Sequence, residues 1–154
     1  MLSHVLSEAV TALSHMLQWP ECLLLVGGTL LGELFGILPG LGGVVALALL
    51  IPLTYDMDLL NAMMLLMSAQ GGSAFGGSIS AILINIPGEA VNAATTMDGY
   101  PLAKQGKALN AIGASATASA LGAIFGAFVL TISIPLMYRV ALSFGPPEMF
   151  ALAI

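Results

Sequence analysis

The stretch that decides the fold is Gln70–Gly99, which reads Gln-Gly-Gly-Ser-Ala-Phe-Gly-Gly-Ser-Ile-Ser-Ala-Ile-Leu-Ile-Asn-Ile-Pro-Gly-Glu-Ala-Val-Asn-Ala-Ala-Thr-Thr-Met-Asp-Gly. Its glycine pairs remove side chains where two backbones come close or where the chain turns. Pro87 has no backbone N–H and therefore ends or breaks a helix just after Asn85. In a bilayer, an interrupted helix is tolerated only where it is buried in protein or lines a water-filled cavity. We therefore predict a polar interruption that faces such a cavity.

The composition of the chain indicates a membrane environment. Of its 154 residues, 58% are hydrophobic and 7% are charged, and the mean hydropathy is +1.02. Ordinary soluble domains carry about 25% charged residues, so this chain has too few to cover a soluble surface. We expect an all-α membrane protein, a polytopic helical bundle whose helices are broken or re-entrant at Pro-Gly motifs and whose outside contacts the lipid bilayer. Three basic residues in the whole chain argue against binding to nucleic acid.

Proline, glycine and charged residues divide the chain into segments. Residues 1–20 show one apolar and one polar face at helical spacing, which predicts an amphipathic helix lying in the membrane interface. Residues 21–154 are predicted to form the N-terminal part of a membrane domain, with apolar segments at about 22–38, 43–54, 59–87, 109–135 and 147–154. We expect 59–87 to be broken. The last segment is truncated, because a membrane span needs about 20 residues, and we therefore expect the chain to belong to a longer protein.

A second interruption lies at Leu38-Pro39-Gly40-Leu41-Gly42-Gly43. The apolar run after it is too short to cross a bilayer at about 1.5 Å per residue, so it is either the second half of one broken span or a re-entrant half-helix. Gly28, Gly32, Gly36 and Gly40 recur at every fourth position. This spacing gives a smooth face for close helix packing, either within one subunit or between two. The segment from Glu89 to Lys107 is predicted to be a loop, because Asp98-Gly99 and Tyr100-Pro101 are turn-forming pairs.

Catalytic and metal-binding patterns are absent from the sequence. The two histidines and the single cysteine do not form a metal-ligand cluster, and neither a nucleophile elbow nor a P-loop is present. We therefore predict a protein that is not an enzyme and that holds no resident metal or cofactor. Glu33 lies inside the first apolar segment. A carboxylate within a membrane is a candidate functional group by default, and the alternative is a position close to the membrane interface.

Several motifs together resemble the TctA family, the large membrane subunit of the bacterial tripartite tricarboxylate transporters. The matching stretches are, in order, Gly36–Gly42, Pro52–Tyr55, Gly76–Gly88, Thr95–Pro101, Lys104–Lys107 and Phe144–Pro146. The resemblance covers about residues 22–154. It implies a multi-pass secondary transporter of the bacterial inner membrane that takes up tri- or dicarboxylates, driven by a Na⁺ or H⁺ gradient. Its partners would be a small membrane subunit and a periplasmic solute-binding protein. The alternative is a channel-like or structural membrane subunit without transport chemistry of its own.

The predicted substrate site combines the helix interruptions with the polar residues around them. Helix N-termini at such breaks offer free N–H groups and a positive dipole end to an anion, worth about 0.3–2 kcal/mol. The hydrogen-bonding groups for substrate or cation are Asn85, Ser78 and Ser80. The residues that shape the breaks are Gly40, Gly42, Pro87 and Gly88. The residues expected to line the end of the loop are Thr95, Thr96 and Asp98. The serines could instead pack helices together, and Asp98 could simply form a turn.

Overall fold

The computed structural model describes residue 7, residues 11–141 and residue 145, and within them all regular structure is helical. The five long helices are α1 (Glu21–Ile37), α2 (Gly42–Leu50), α3 (Leu59–Ile84), α4 (Ala93–Lys104) and α5 (Ala108–Ala141). Short 3₁₀ helices follow α2 at Ile51–Thr54 and precede α4 at Ala90–Asn92. The all-α class is thus confirmed for this part of the chain. Residues 11–16 are helical, whereas most of the first ten residues and the predicted segment 147–154 lie outside the described residues.

The chain divides into two compact units, Met1–Thr117 and Ala118–Ile154. The first unit holds α1 to α4 and the beginning of α5. The second unit holds the rest of α5. The candidate site described below lies wholly within the first unit.

Helices α1 and α3 pack closely through glycines on both sides. The glycines involved are Gly28, Gly32 and Gly36 of α1 and Gly72 and Gly76 of α3. A β-carbon at Gly32 would overlap the backbone of Ala69, and one at Gly72 would overlap the backbone of Thr29. The two backbones are therefore in direct contact along this seam, as small-residue ladders allow. In this structure the ladder packs two helices of one chain.

We expect Gly32→Ala to lower the free energy of unfolding by about 1–3 kcal/mol, because the added methyl meets rigid backbone and forces the helices apart. Gly27→Ala is the matched control. It lies in the same helix with no other atom within 4 Å of the new β-carbon, and helix propensity makes it neutral or stabilising by up to about 1 kcal/mol. Thermal unfolding of the purified protein in detergent measures both. Equal melting temperatures for the two variants would contradict the direct backbone contact between α1 and α3.

Helix α3 is a single continuous helix of 26 residues. Its first turn is capped by Asp58, which accepts from the Asn61 backbone N–H. The interruption expected within 59–87 therefore falls only at the C-terminal end, before Pro87. The glycines between residues 71 and 77 are all helical. Gly72 and Gly76 face α1, where the missing side chains allow close packing and do not produce a turn.

The prediction of a loop from Glu89 to Lys107 is wrong, because Ala93–Lys104 forms α4. The physical reason is packing against α3, which overrides the local turn signals. Gly99 is buried, and a β-carbon there would lie 2.7 Å from Cγ1 of Ile82. The absence of a side chain at Gly99 therefore makes room for α3. The helix ends before Gly106, which takes a left-handed φ of 77°.

Helix α5 includes the stretch Ala108–Ile134, which is long and apolar enough to cross a membrane, and its side chains are largely exposed. Among the described residues, this is the one helix that is both long enough and apolar enough to cross a membrane. The segment Gly42–Thr54 is apolar but shorter. The multi-pass arrangement of the remaining helices stays a prediction.

Candidate functional site

The two helix interruptions lie against each other. The first separates Ile37 at the end of α1 from Gly42 at the start of α2, and the second follows Ile84 at the end of α3. Gly88 in the second interruption fits so closely that a β-carbon on it would overlap the carbonyl group of Gly36. A groove of about 340 Å³ runs between the segments 40–44 and 88–91. The structure therefore brings together two breaks that are far apart in the sequence.

Glycines make the sharp turn into α2 possible. Gly40 has a φ of 87° and Gly42 a φ of 59°, a left-handed region that other residues enter only with strain. The turn leaves the N-terminus of α2 open at the groove. The first N–H groups of a helix have no partner within that helix, so this end needs acceptors from elsewhere.

The side chain of Glu89 supplies one such acceptor. The Gly43 backbone N–H donates to Oε1 of Glu89 over 2.6 Å, and the buried Ser73 hydroxyl donates to the same oxygen, also over 2.6 Å. Hydrogen bonds to an ionised carboxylate are about twice as strong as those between neutral groups. The carboxylate also benefits from the positive end of the α2 dipole. One carboxylate thus links α2, α3 and the segment after Pro87.

Two further amide side chains complete this junction. The Gln70 amide lies beside the Glu89 carboxylate, with both Oε1 atoms within 3 Å of the point where a β-carbon on Gly43 would stand. Asn92 is 4% exposed, and its Nδ2 donates to the Ala74 carbonyl over 3.0 Å. Buried polar side chains usually have a hydrogen-bond partner, and this bond ties the Asn92 side chain to α3. Asn92 therefore holds the segment 88–92 against α3.

Three of the predicted site residues, Gly40, Gly42 and Gly88, line the groove. Pro87 is half-buried and immediately precedes it. The Gly88 N–H donates to the Gly77 carbonyl over 3.3 Å, which anchors the second break to α3. These four residues shape the groove through backbone atoms.

Five of the other predicted site residues lie elsewhere. Ser78 and Ser80 are buried in α3, and Ser80 donates to the Gly77 carbonyl of its own helix over 3.1 Å. Thr96 likewise donates within α4, to the Ala93 carbonyl over 2.7 Å. Thr95 is half-buried and Asp98 is exposed on the same helix. Their roles in binding stay predictions.

Glu89 is the functional candidate that sequence reasoning missed. A signal was available, since it is a carboxylate two residues after Pro87 in a chain with few charges. A carboxylate in an apolar region is a functional candidate by default, and this holds for Glu89 as it does for Glu33. The partners of Glu89 could not be found from the sequence, because they lie 46 residues away at Gly43 and 16 residues away at Ser73.

Comparison with protein-family models decides the family. Residues 22–154 match the model described as "Tripartite tricarboxylate transporter TctA family". This chain belongs to the TctA family. The resemblance drawn from the sequence motifs is confirmed over residues 22–154. Both helix interruptions and the groove between them fall inside the matched region.

A curated relative supports the same assignment. It is a 52.8 kDa protein of Agrobacterium vitis, described as an uncharacterized protein in the TAR-I ttuC' 3' region, and it is 40% identical over 127 residues. The match covers 82% of this chain and 25% of the relative. The chain therefore spans about a quarter of the length of that relative. No solved structure matches the chain.

Two variants test whether Asn85 acts through its backbone conformation or through its side-chain amide. Asn85 ends α3 with a φ of 61° and is exposed, and asparagine enters this region more readily than most residues. If Asn85 contributes only its backbone conformation, Asn85→Gly keeps uptake within about twofold of wild type, since glycine preserves the backbone at no steric cost. Asn85→Ala is expected to be less stable by about 1–2 kcal/mol. Loss of uptake in the glycine variant, with normal membrane insertion, would instead assign the Asn85 amide to the substrate or the cation.

Proposed function

We propose that this chain provides part of the membrane permease of a secondary transporter that takes up tri- or dicarboxylates across the bacterial inner membrane. In this proposal, uptake is driven by an ion gradient, and a periplasmic solute-binding protein delivers the cargo to the permease and its small membrane subunit. The groove between residues 40–44 and 88–91 receives a carboxylate group of the cargo. The observation that carries the proposal is the Glu89 carboxylate seated on the N-terminus of α2.

Unused donors at this helix end support the placement of the cargo. Glu89 occupies the N–H of Gly43, whereas the N–H groups of Gly42 and Val44 donate to no other residue in the described part of the chain. Gly42 and Val44 both line the groove. A helix N-terminus with free N–H groups is a ready site for an anion, worth about 0.3–2 kcal/mol. A second carboxylate can therefore be bound by backbone groups alone.

The positions of the described lysines favour recognition of the cargo by backbone N–H groups. Lys104 and Lys107 lie at the end of α4 and just before α5, and neither lines the groove. Neither of these two lysines therefore contributes a charge to the groove. Broken helices whose N-termini face an anionic group are a recurring solution in secondary transporters.

Uptake by reconstituted vesicles tests the proposed function. The chain is expressed within its complete reading frame, together with the small membrane subunit and the binding protein, and radiolabelled citrate serves as the tricarboxylate. We expect uptake against a concentration gradient only when both the ion gradient and the binding protein are present. Flux that needs neither would favour a channel. No flux with all partners and a gradient present would favour a structural subunit.

A further inference from the structure

The groove carries a charge of the wrong sign for its proposed cargo. Among the residues of segments 40–44 and 88–91, the one ionisable side chain is that of Glu89. An ionised carboxylate in a groove of about 340 Å³ repels an anion that enters the same space. This repulsion must be removed before the backbone N–H groups of α2 can bind a carboxylate.

Half of the Glu89 carboxylate remains open for a cation. Both donors, the Gly43 N–H and the Ser73 hydroxyl, bond to Oε1. No residue in the described part of the chain donates to Oε2, and none forms a hydrogen bond with the adjacent Gln70 amide. A carboxylate has about four acceptor positions, so Oε2 retains its full capacity. Carboxylate and amide oxygens are also the ligands that hard cations prefer.

We infer that Glu89 binds the coupling cation, and that neutralisation of its carboxylate at Oε2 is what admits a carboxylate cargo to the groove. This inference rests on the proposed function and assigns the ion-binding residue within it. A proton would reside on Oε2, and Na⁺ would bind at the same oxygen. Either cation removes the same negative charge. The groups that face Glu89 from α2, α3 and the preceding loop are Gly42, Gly43, Gln70, Ser73 and Gly88, and none of them titrates.

Glu89→Gln tests the inference in the reconstituted transporter. Glutamine keeps the shape and an acceptor oxygen for Ser73 and Gly43 but cannot change its charge. For wild type, a tenfold cation gradient supports up to about tenfold cargo accumulation per coupled cation. Under the same tenfold cation gradient, we expect Glu89→Gln to accumulate cargo less than about twofold. Downhill entry of cargo should still be measurable. Wild-type accumulation in the variant would overturn the inference and leave the proposed function intact. Failure of wild type to accumulate cargo would overturn both.

Chemical labelling of the wild-type protein gives a second test that does not depend on a variant folding. Dicyclohexylcarbodiimide modifies protonated carboxyl groups in apolar surroundings, and peptide mass spectrometry reports the labelling of Glu89, with half-buried Glu33 as the control. If the cation is Na⁺, replacing K⁺ by Na⁺ at fixed pH slows labelling of Glu89 but not of Glu33. If it is a proton, labelling of Glu89 does not respond to Na⁺ but is changed by citrate, because the cargo enters the groove only when the carboxyl group is neutral, and labelling of Glu33 is unchanged. Labelling of Glu89 that responds to neither Na⁺ nor citrate would overturn the inference.

Discussion

Gly88→Ala is expected to abolish carboxylate uptake and to lower the free energy of unfolding by about 1–3 kcal/mol. Gly88 is where the second interruption packs against the end of α1 and against α3. A β-carbon there would overlap the Gly36 carbonyl and would lie 2.6 Å from Cα of Gly77. Both contacts are with backbone, so no side chain can rotate away to make room. The methyl group therefore separates the second interruption from α1 and α3 and opens the groove.

Gly71→Ala is the control for this prediction. Gly71 belongs to the same glycine-rich stretch, but a β-carbon on it would meet no other atom within 4 Å. We expect this variant to keep wild-type uptake and to gain up to about 1 kcal/mol in stability, because alanine is the better helix former. Uptake assays and thermal unfolding in detergent measure both variants. Normal uptake by Gly88→Ala would mean that the close contacts of Gly88 with Gly36 and Gly77 are dispensable.

Ser73→Ala is the second change with a large expected effect. Ser73 is fully buried, and its hydroxyl is one of two donors to the Glu89 carboxylate. Removing a hydrogen bond to a charged group costs about 1.5–3 kcal/mol. Part of this cost appears as lost stability, and the rest as displacement of Glu89 from the end of α2. We therefore expect uptake to fall by about tenfold or more, which corresponds to about 1.4 kcal/mol.

Ser80→Ala provides a matched comparison in the same helix. Ser80 is also buried, but its hydroxyl bonds to a carbonyl of its own helix, at Gly77. Alanine is a better helix former, and that carbonyl can keep its bond within the helix, so we expect a loss below about 1 kcal/mol and near-normal uptake. The two variants are compared by uptake rate and by thermal unfolding. Equal effects at the two positions would remove the special role given to the bond between Ser73 and Glu89.

Local sequence was sufficient for the parts of the fold that depend on backbone constraints. Pro39 and Pro87 each follow a helix end, because proline lacks the N–H that a continuing helix requires. The fourfold spacing of Gly28, Gly32 and Gly36 indicated a close helix contact, and these residues face α3. Neither inference needed knowledge of distant residues.

Features that depend on distant contacts could not be predicted. The turn signals around Asp98 and Tyr100 pointed to a loop, but packing on Ile82 makes this segment helical. Ser80 is buried and bonds within its own helix, which its polar side chain alone does not indicate, and its role in binding stays a prediction. The residue that joins the two interruptions is Glu89, whose donors come from helices that the sequence alone does not place beside it.

Protection of the groove by cargo tests the central claim most directly. Ala90→Cys is introduced in a background in which Cys22, the one cysteine of these 154 residues, is replaced by serine, as is every cysteine in the rest of the complete reading frame. Ala90 is exposed and lines the groove, whereas Ala94 is exposed on α4 and does not line it, so Ala94→Cys is the control. With citrate at about ten times its dissociation constant, we expect maleimide labelling at position 90 to slow about tenfold and labelling at position 94 to stay the same. Labelling at position 90 that is unchanged by citrate would contradict the claim that the cargo binds where the two helix interruptions meet.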